Sequence, residues 1–274
     1  MAAEPTPDRH ADARPEHPAL TTVLGDGDFE ITGRLTQASN ATFVGQLRGE
    51  DGDVQCVYKP IRGERPLWDF PRHTLAFREV AAYRISRLGG FDVVPVTVLA
   101  DGPAGTGSLQ VWVEEDEDPA HPLVDLVPTK KLPRKGYFDV VEGLDRYDSS
   151  VSVIHADHPL LRSMAVFDAL VNNADRKGGH IIGSEGRVFG VDHGICFHTE
   201  DKLRTILWGW AGSPLDEADI AHICAVQEGA IDEIADLLSD DEIEALLLRA
   251  EGLLAAGELP LPGGGWPNIP WPPF

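Results

Sequence analysis

One stretch constrains this chain more than any other. It runs from Asp168 to Gly194 and reads DALVNNADRKGGHIIGSEGRVFGVDHG. Met164, Phe167, Leu170 and Val171 recur at helical spacing, so an amphipathic helix enters it. Asn172 to Gly179 is polar and glycine-bearing and ends that helix. His180-Ile181-Ile182 and Arg187 to Val191 form two strands joined by the turn Gly183-Ser184-Glu185-Gly186. Such a hairpin brings its ends together, and each end carries an acid: Asp175 before the first strand and Asp192 after the second.

Two carboxylates delivered this way suit phosphoryl transfer. One orients or deprotonates an acceptor hydroxyl, and the other holds Mg²⁺ against ATP phosphates. The alternative is that each Asp caps a turn, as Asp in loops commonly does.

Upstream, residues 29–37, 41–48 and 54–59 read as three successive antiparallel strands, with Gly49-Glu50-Asp51-Gly52 as a turn. The turn Ala38-Ser39-Asn40 carries no GxGxxG. Its small Ser39 and Asn40 let a phosphate approach the backbone, or they make an ordinary hairpin tip. Lys59 ends the third strand among apolar neighbours, where an unpaired ammonium is costly to bury. Either it guards a sheet edge or it is held for α/β-phosphates. A helix follows from His73 to Leu88, closed by Gly89-Gly90, with Glu79 beside its apolar face as a partner for Lys59. Strands at 93–99 and 108–114 complete a five-stranded antiparallel sheet with one helix.

The acidic run Glu114 to Asp118 before Pro119 marks a linker. Residues 119–157 read as irregular, with Asp157 as cap and Pro159 as first residue of the next helix. Helices are expected from Ser213 to Gln227, from Gly229 to Leu238 and over 240–256, the last opened by a Ser239–Glu242 capping box. These boundaries divide the chain into a disordered arm (1–20), a sheet lobe (21–114), a second lobe (115–256), and a Pro- and Trp-rich tail (257–274) lying on that second lobe.

A formal charge of −22 argues against a nucleic-acid grip and against stable adsorption to an anionic membrane. Lys130, Lys131, Arg134 and Lys135 are a local exception, either a solvated loop or a dock for a phosphate or an acidic substrate. Three cysteines without CxxC spacing fit a reducing compartment, and no signal pattern or membrane-length apolar run is present, so a soluble cytoplasmic protein is expected.

This layout resembles the protein-kinase-like superfamily: an α+β, two-lobed fold with an antiparallel sheet lobe bearing one helix and a mainly helical second lobe. Asn173-Ala174-Asp175-Arg176, then a hairpin, then Val191-Asp192-His193-Gly194 resembles the phosphatidylinositol 3-/4-kinase-like branch. HipA-type bacterial kinases carry a similar Asn-x-Asp-Arg loop, and a bacterial group of such kinase-like proteins is the nearest likeness. The resemblance spans residues 29–256 and is strongest over 165–196 and in Val57-Tyr58-Lys59-Pro60.

The resemblance implies an ATP-dependent phosphotransferase acting on a hydroxyl of a protein or soluble small molecule, with ATP and Mg²⁺ (Mn²⁺ as alternative) as cofactors. Lys59 would bind phosphates and pair with Glu79. Asp175 would be the acid–base residue, with Arg176 bracing its loop. Asp192 would hold the metal, Ser39 and Asn40 would lie over the phosphates, and Trp112, Val113, Glu114 and Glu115 would receive adenine.

One departure stands out. The family places an Asn metal ligand a few residues after the loop Asp, and here His180 stands nearest. Imidazole suits Mn²⁺ better than Mg²⁺. His193 also replaces the usual Phe or Leu after the metal-binding Asp. The alternative function is therefore a nucleotide-binding pseudokinase working as an interaction module. A zinc site at His193, Cys196 and His198 is a third reading, short of a fourth ligand.

Overall fold

The computed structural model describes residues 29–36, 40–48, 52–116, 121–264 and 267–274. Five strands form the first sheet: β1 (Phe29–Arg34), β2 (Phe43–Leu47), β3 (Val54–Pro60), β4 (Thr97–Gly102) and β5 (Gly105–Val111). Their order is β1-β2-β3-β5-β4, and every neighbouring pair is antiparallel. Side chains alternate across a strand. Cys56 and Tyr58 of β3 therefore enter a small core with Leu47 and Leu109, while Val57 and Lys59 face the other way.

Helix α1 (Leu75–Leu88) follows β3. Its Val80, Ala81, Ala82 and Ile85 are at most 2% exposed and belong to the larger core, together with residues of the second lobe. The helix thus joins the two lobes. Arg78, also on α1, donates to the Cys196 carbonyl at 2.6 Å and pairs with Glu242.

The second lobe holds three helices: α2 (Pro159–Val171), α3 (Glu217–Ile234) and α4 (Asp240–Ala256). Between α2 and α3 lies the two-stranded hairpin β9 (Ile181–Ser184) and β10 (Arg187–Gly190). The architecture is α+β and two-lobed, with antiparallel sheets.

Three local expectations are corrected. Residues 119–157 are not irregular: β6 (Val124–Pro128), β7 (Tyr137–Leu144) and β8 (Ser150–Ala156) form a three-stranded sheet in the order β6-β8-β7. A register shift between Asp139 and Val141 breaks the two-residue period that would have betrayed β7. Next, α3 is one helix where two were expected. Gly229 does not break it, because a Cβ there would fall 2.8 Å from a Leu88 methyl, so the glycine admits a close approach of α1. Finally, α2 is capped by His158, whose Nδ1 accepts from the Leu160 amide at 3.2 Å, while Asp157 accepts from the Trp210 indole. The capping box at Ser239 and Glu242 is present.

Candidate active site

A cavity of about 750 Å³ opens between the sheet lobe and the second lobe. Val57 and Lys59 come to its wall from β3, and Trp112 to Asp116 from the segment leaving β5. Gly178 to Gly183 and Val191-Asp192 come from the stretch around the β9–β10 hairpin.

Lys59 is the point where the lobes meet. Its Nζ donates to Glu79 Oε1 at 2.5 Å and to Asp192 Oδ1 at 2.9 Å. Glu79 lies behind it with a side chain 4% exposed, and its other oxygen accepts from the His193 amide at 3.0 Å. A buried carboxylate with every partner supplied is a fixed charge, not a ligand-seeking one. Burial alone would lower the Lys59 pKa, but Asp192 and Glu79 outweigh it and raise it, so the ammonium stays charged. Asp192 differs from Glu79: its side chain is 55% exposed toward the cavity. Lys59 holds its carboxyl below the usual carboxylate range, against the effect of burial. Asp192 sits at φ 63°, a left-handed backbone conformation that a non-glycine residue adopts only when its surroundings enforce it.

The residues on either side of Asp192 are held by Glu79, through the His193 amide, and by Arg176, which is fully buried. Its guanidinium takes Asp168 Oδ2 through Nε and Oδ1 through Nη2, each at 2.9 Å, tying the loop to α2. Nη1 reaches the carbonyls of His180 at 3.3 Å and Val191 at 3.2 Å, fixing both ends of the hairpin. Nη2 also donates to His193 Nε2 at 2.6 Å. That bond makes His193 an acceptor at Nε2, and its Nδ1 is buried without a partner. Helix α2 closes with Asn172 at φ 55°, and Asn173 bridges onward from Asp168 to the Asp175 amide.

His180 is held in one tautomer. Its Nδ1 lies 2.9 Å from the Asp175 carbonyl, which can only accept, so Nδ1 carries the proton. Nε2 is left with its lone pair 3.6 Å from Asp192 Oδ2. Burial pushes its pKa down, which keeps the ring neutral. Asp175 bonds to Lys177 at 2.9 Å and is not on the cavity wall.

This geometry can be set beside known proteins. Protein Rv2133c of Mycobacterium tuberculosis is 47% identical over 264 residues, covering 92% of this chain and 94% of the relative. The chain belongs to the Rv2133c family. No family model matches it. Among solved structures, that of the Helicobacter pylori proinflammatory kinase CtkA is similar at a TM-score of 0.41 and 11% identity, covering 86% of this chain and 94% of that one.

In this member of the Rv2133c family, Lys59, Asn40, Trp112, Val113, Glu114, His180 and Asp192 all line one cavity. Glu79 and Arg176 stand behind the wall, holding Lys59 and the hairpin. Asp175 touches His180 through its carbonyl only, and Ser39 lies outside the described residues. The zinc reading fails. His193 Nε2 is taken by Arg176, and both ring nitrogens of His198 are taken, by the Asp69 carbonyl and the Glu200 amide. Among the described residues, no three His, Cys, Asp or Glu side chains cluster as a metal site, and no helix is long and apolar enough to cross a membrane.

Sequence reasoning missed Asp116. Its amide donates to the Gly183 carbonyl at 2.9 Å and its carboxylate accepts from the Glu185 amide at 3.0 Å, pinning the linker to the hairpin turn. It also missed Gln110, Leu123 and Phe274 on the cavity wall. No motif carries these residues; an acid inside the linker facing a Gly-Ser-Glu-Gly turn was the only available signal.

Proposed function

We propose that the protein is an ATP-dependent phosphotransferase of the kinase-like type, moving the γ-phosphoryl group to a hydroxyl of a protein or a soluble small molecule. The finer phosphatidylinositol 3-/4-kinase-like assignment rests on the Asn173-Ala174-Asp175-Arg176 and Val191-Asp192-His193-Gly194 motifs. The observation that carries the reading is the ion-paired chain Glu79–Lys59–Asp192, in which Lys59 and Asp192 reach the wall of one cavity from opposite lobes and Glu79 stands behind it. Lys59 would take α/β-phosphate oxygens with Glu79 as its fixed counter-charge, and adenine would lie along Trp112 to Glu115.

The donor set fits a divalent ion bound together with phosphate. Asp192 presents an exposed carboxylate and His180 a bare ring nitrogen, and triphosphate oxygens would complete the shell. Such an ion neutralises charge on the transferring phosphoryl group. A nitrogen ligand there favours Mn²⁺ over Mg²⁺. Asp175 would orient the acceptor hydroxyl once Lys177 yields its hold on the carboxylate. The net acidic surface favours an acceptor that is not an anionic bilayer.

The test is ATP turnover by the parent, Lys59→Ala and Asp192→Asn. Loss in both supports the reading; parental turnover in both places the chemistry elsewhere. The second reading, a nucleotide-binding pseudokinase, is favoured by His180 at the usual Asn position and by the Asp175–Lys177 pair. A melting shift with ATP and Mn²⁺ but no product selects it.

A further inference from the structure

The chain's last segment does not simply lie on the second lobe. The Asn268 carbonyl accepts from the Thr205 amide at 3.1 Å and from the Trp208 indole at 2.9 Å, while Ile269 packs against the main core. From that anchor the segment reaches the cavity. The Pro273 carbonyl accepts from the Gly178 amide at 2.7 Å, and the Phe274 ring joins Gly178, Gly179 and His180 on the cavity wall.

Gly178 opens the short 3₁₀ turn that ends at His180. The first amide of such a turn has no partner inside it. The Pro273 carbonyl supplies one from a segment nearly a hundred residues downstream in the numbering. The Phe274 ring closes over the same residue so tightly that a Cβ on Gly178 would fall 2.5 Å from a ring carbon. Gly178 has no positive φ, so its backbone does not demand glycine. What excludes a side chain there is the ring.

Resting on the phosphotransfer reading, we infer that Pro273 and Phe274 are positioning residues. They clamp the Gly178–His180 turn and thereby fix His180 Nε2 against Asp192. The turn is held from one side by Arg176, through the His180 carbonyl, and from the other by this clamp. Metal–ligand distances in a well-formed site lie within about 0.2 Å of their preferred values, and groups that orient a ligand support affinity, so a turn free to rock on one side loses affinity for the ion. The clamp acts on the turn that carries the metal ligand, so the loss of Mn²⁺ affinity exceeds any loss of metal-free nucleotide affinity.

The experiment measures Mn²⁺ binding by electron paramagnetic resonance in the presence of a non-hydrolysable ATP analogue, alongside metal-free nucleotide affinity and melting temperature. Phe274→Ala and Gly178→Ala each weaken Mn²⁺ binding about tenfold, the size typical of lost outer-shell support. Phe274→Tyr keeps parental affinity. Because Gly178→Ala acts only by displacing the ring, it has no further effect in the Phe274→Ala background. Parental Mn²⁺ affinity in Phe274→Ala, or losses that multiply in the double variant, overturns the clamp and leaves the phosphotransfer reading standing. A parent that binds no Mn²⁺ with nucleotide overturns both.

Discussion

Two charge clusters lie side by side in this molecule and behave as opposites. In the closed one, Asp168, Arg176 and His193 are buried, and the Asp168 and Arg176 side chains have no exposure at all. Both Asp168 oxygens and every Arg176 nitrogen are engaged. In the open one, Lys59 and Glu79 are likewise satisfied, but Asp192 keeps half its side chain exposed and His180 keeps a lone pair aimed beside it. The comparison teaches how to separate support from chemistry. A group whose hydrogen-bonding capacity is used up inside the protein holds structure, and a group with capacity left facing a cavity is available to a ligand. The two clusters share the hairpin: Arg176 binds the Val191 carbonyl, one residue before Asp192. The closed cluster holds the open one in place.

The largest expected effect breaks the closed cluster. Asp168→Ala leaves the Arg176 guanidinium buried without its carboxylate and costs about 3–5 kcal/mol of stability. Thermal or urea unfolding measures it, and a loss below about 1 kcal/mol would place Asp168 outside any structural role. Next comes the open cluster. Lys59→Ala lowers ATP turnover about 10²–10³-fold, as for the loss of one charge-stabilising donor, and lowers the melting temperature less than Asp168→Ala does, because Glu79 loses its ammonium but keeps the His193 amide. If Lys59→Ala unfolds the protein as Asp168→Ala does, the distinction between the clusters disappears. Smaller is His180→Asn, which exchanges a ring nitrogen for an amide oxygen. It shifts the metal preference from Mn²⁺ toward Mg²⁺ by about tenfold, read as the ratio of turnover in the two metals. The smallest is His193→Phe. It removes the unpartnered Nδ1 donor but also an acceptor for Arg176, so the two changes oppose and stability moves by less than about 2 kcal/mol. Nucleotide affinity is unchanged in that variant, because His193 does not line the cavity.

Much of the open cluster was legible in the chain, because it rests on local chemistry. An acid on either side of a strand–turn–strand, and a lysine ending an apolar strand, are each patterns a few residues long. The Lys59–Glu79 contact was also within reach: a lysine in an apolar run needs a carboxylate, and Glu79 was the acid beside the next helix's apolar face. His180 was visible as a departure from the Asn that the resemblance leads one to expect, although its tautomer was not, since that depends on the Asp175 carbonyl folding back onto Nδ1. Strand β7 stayed hidden because a bulge at Asp139 to Val141 breaks the alternation that marks a half-buried strand, whereas β8 carries a legible Ser150-Val151-Ser152-Val153 alternation that the reading as an irregular segment passed over. The continuity of α3 through Gly229 stayed hidden because its reason is Leu88 on another helix.

Taken alone, the sequence determined the presence and order of the strands and helix of the sheet lobe, though not the bounds of β4, and the hairpin with an acid at each end. All of these follow from periodicity and turn chemistry. Only the tertiary structure decided which acid stays exposed. Asp168 and Asp192 are the same residue type in one continuous stretch, yet Arg176 consumes one and the cavity exposes the other. It also decided that a ring at position 274 presses on a glycine at 178. The physical reason is the same in both cases: whether a polar group has capacity to spare depends on the atoms around it, and those arrive from parts of the chain that no local pattern connects.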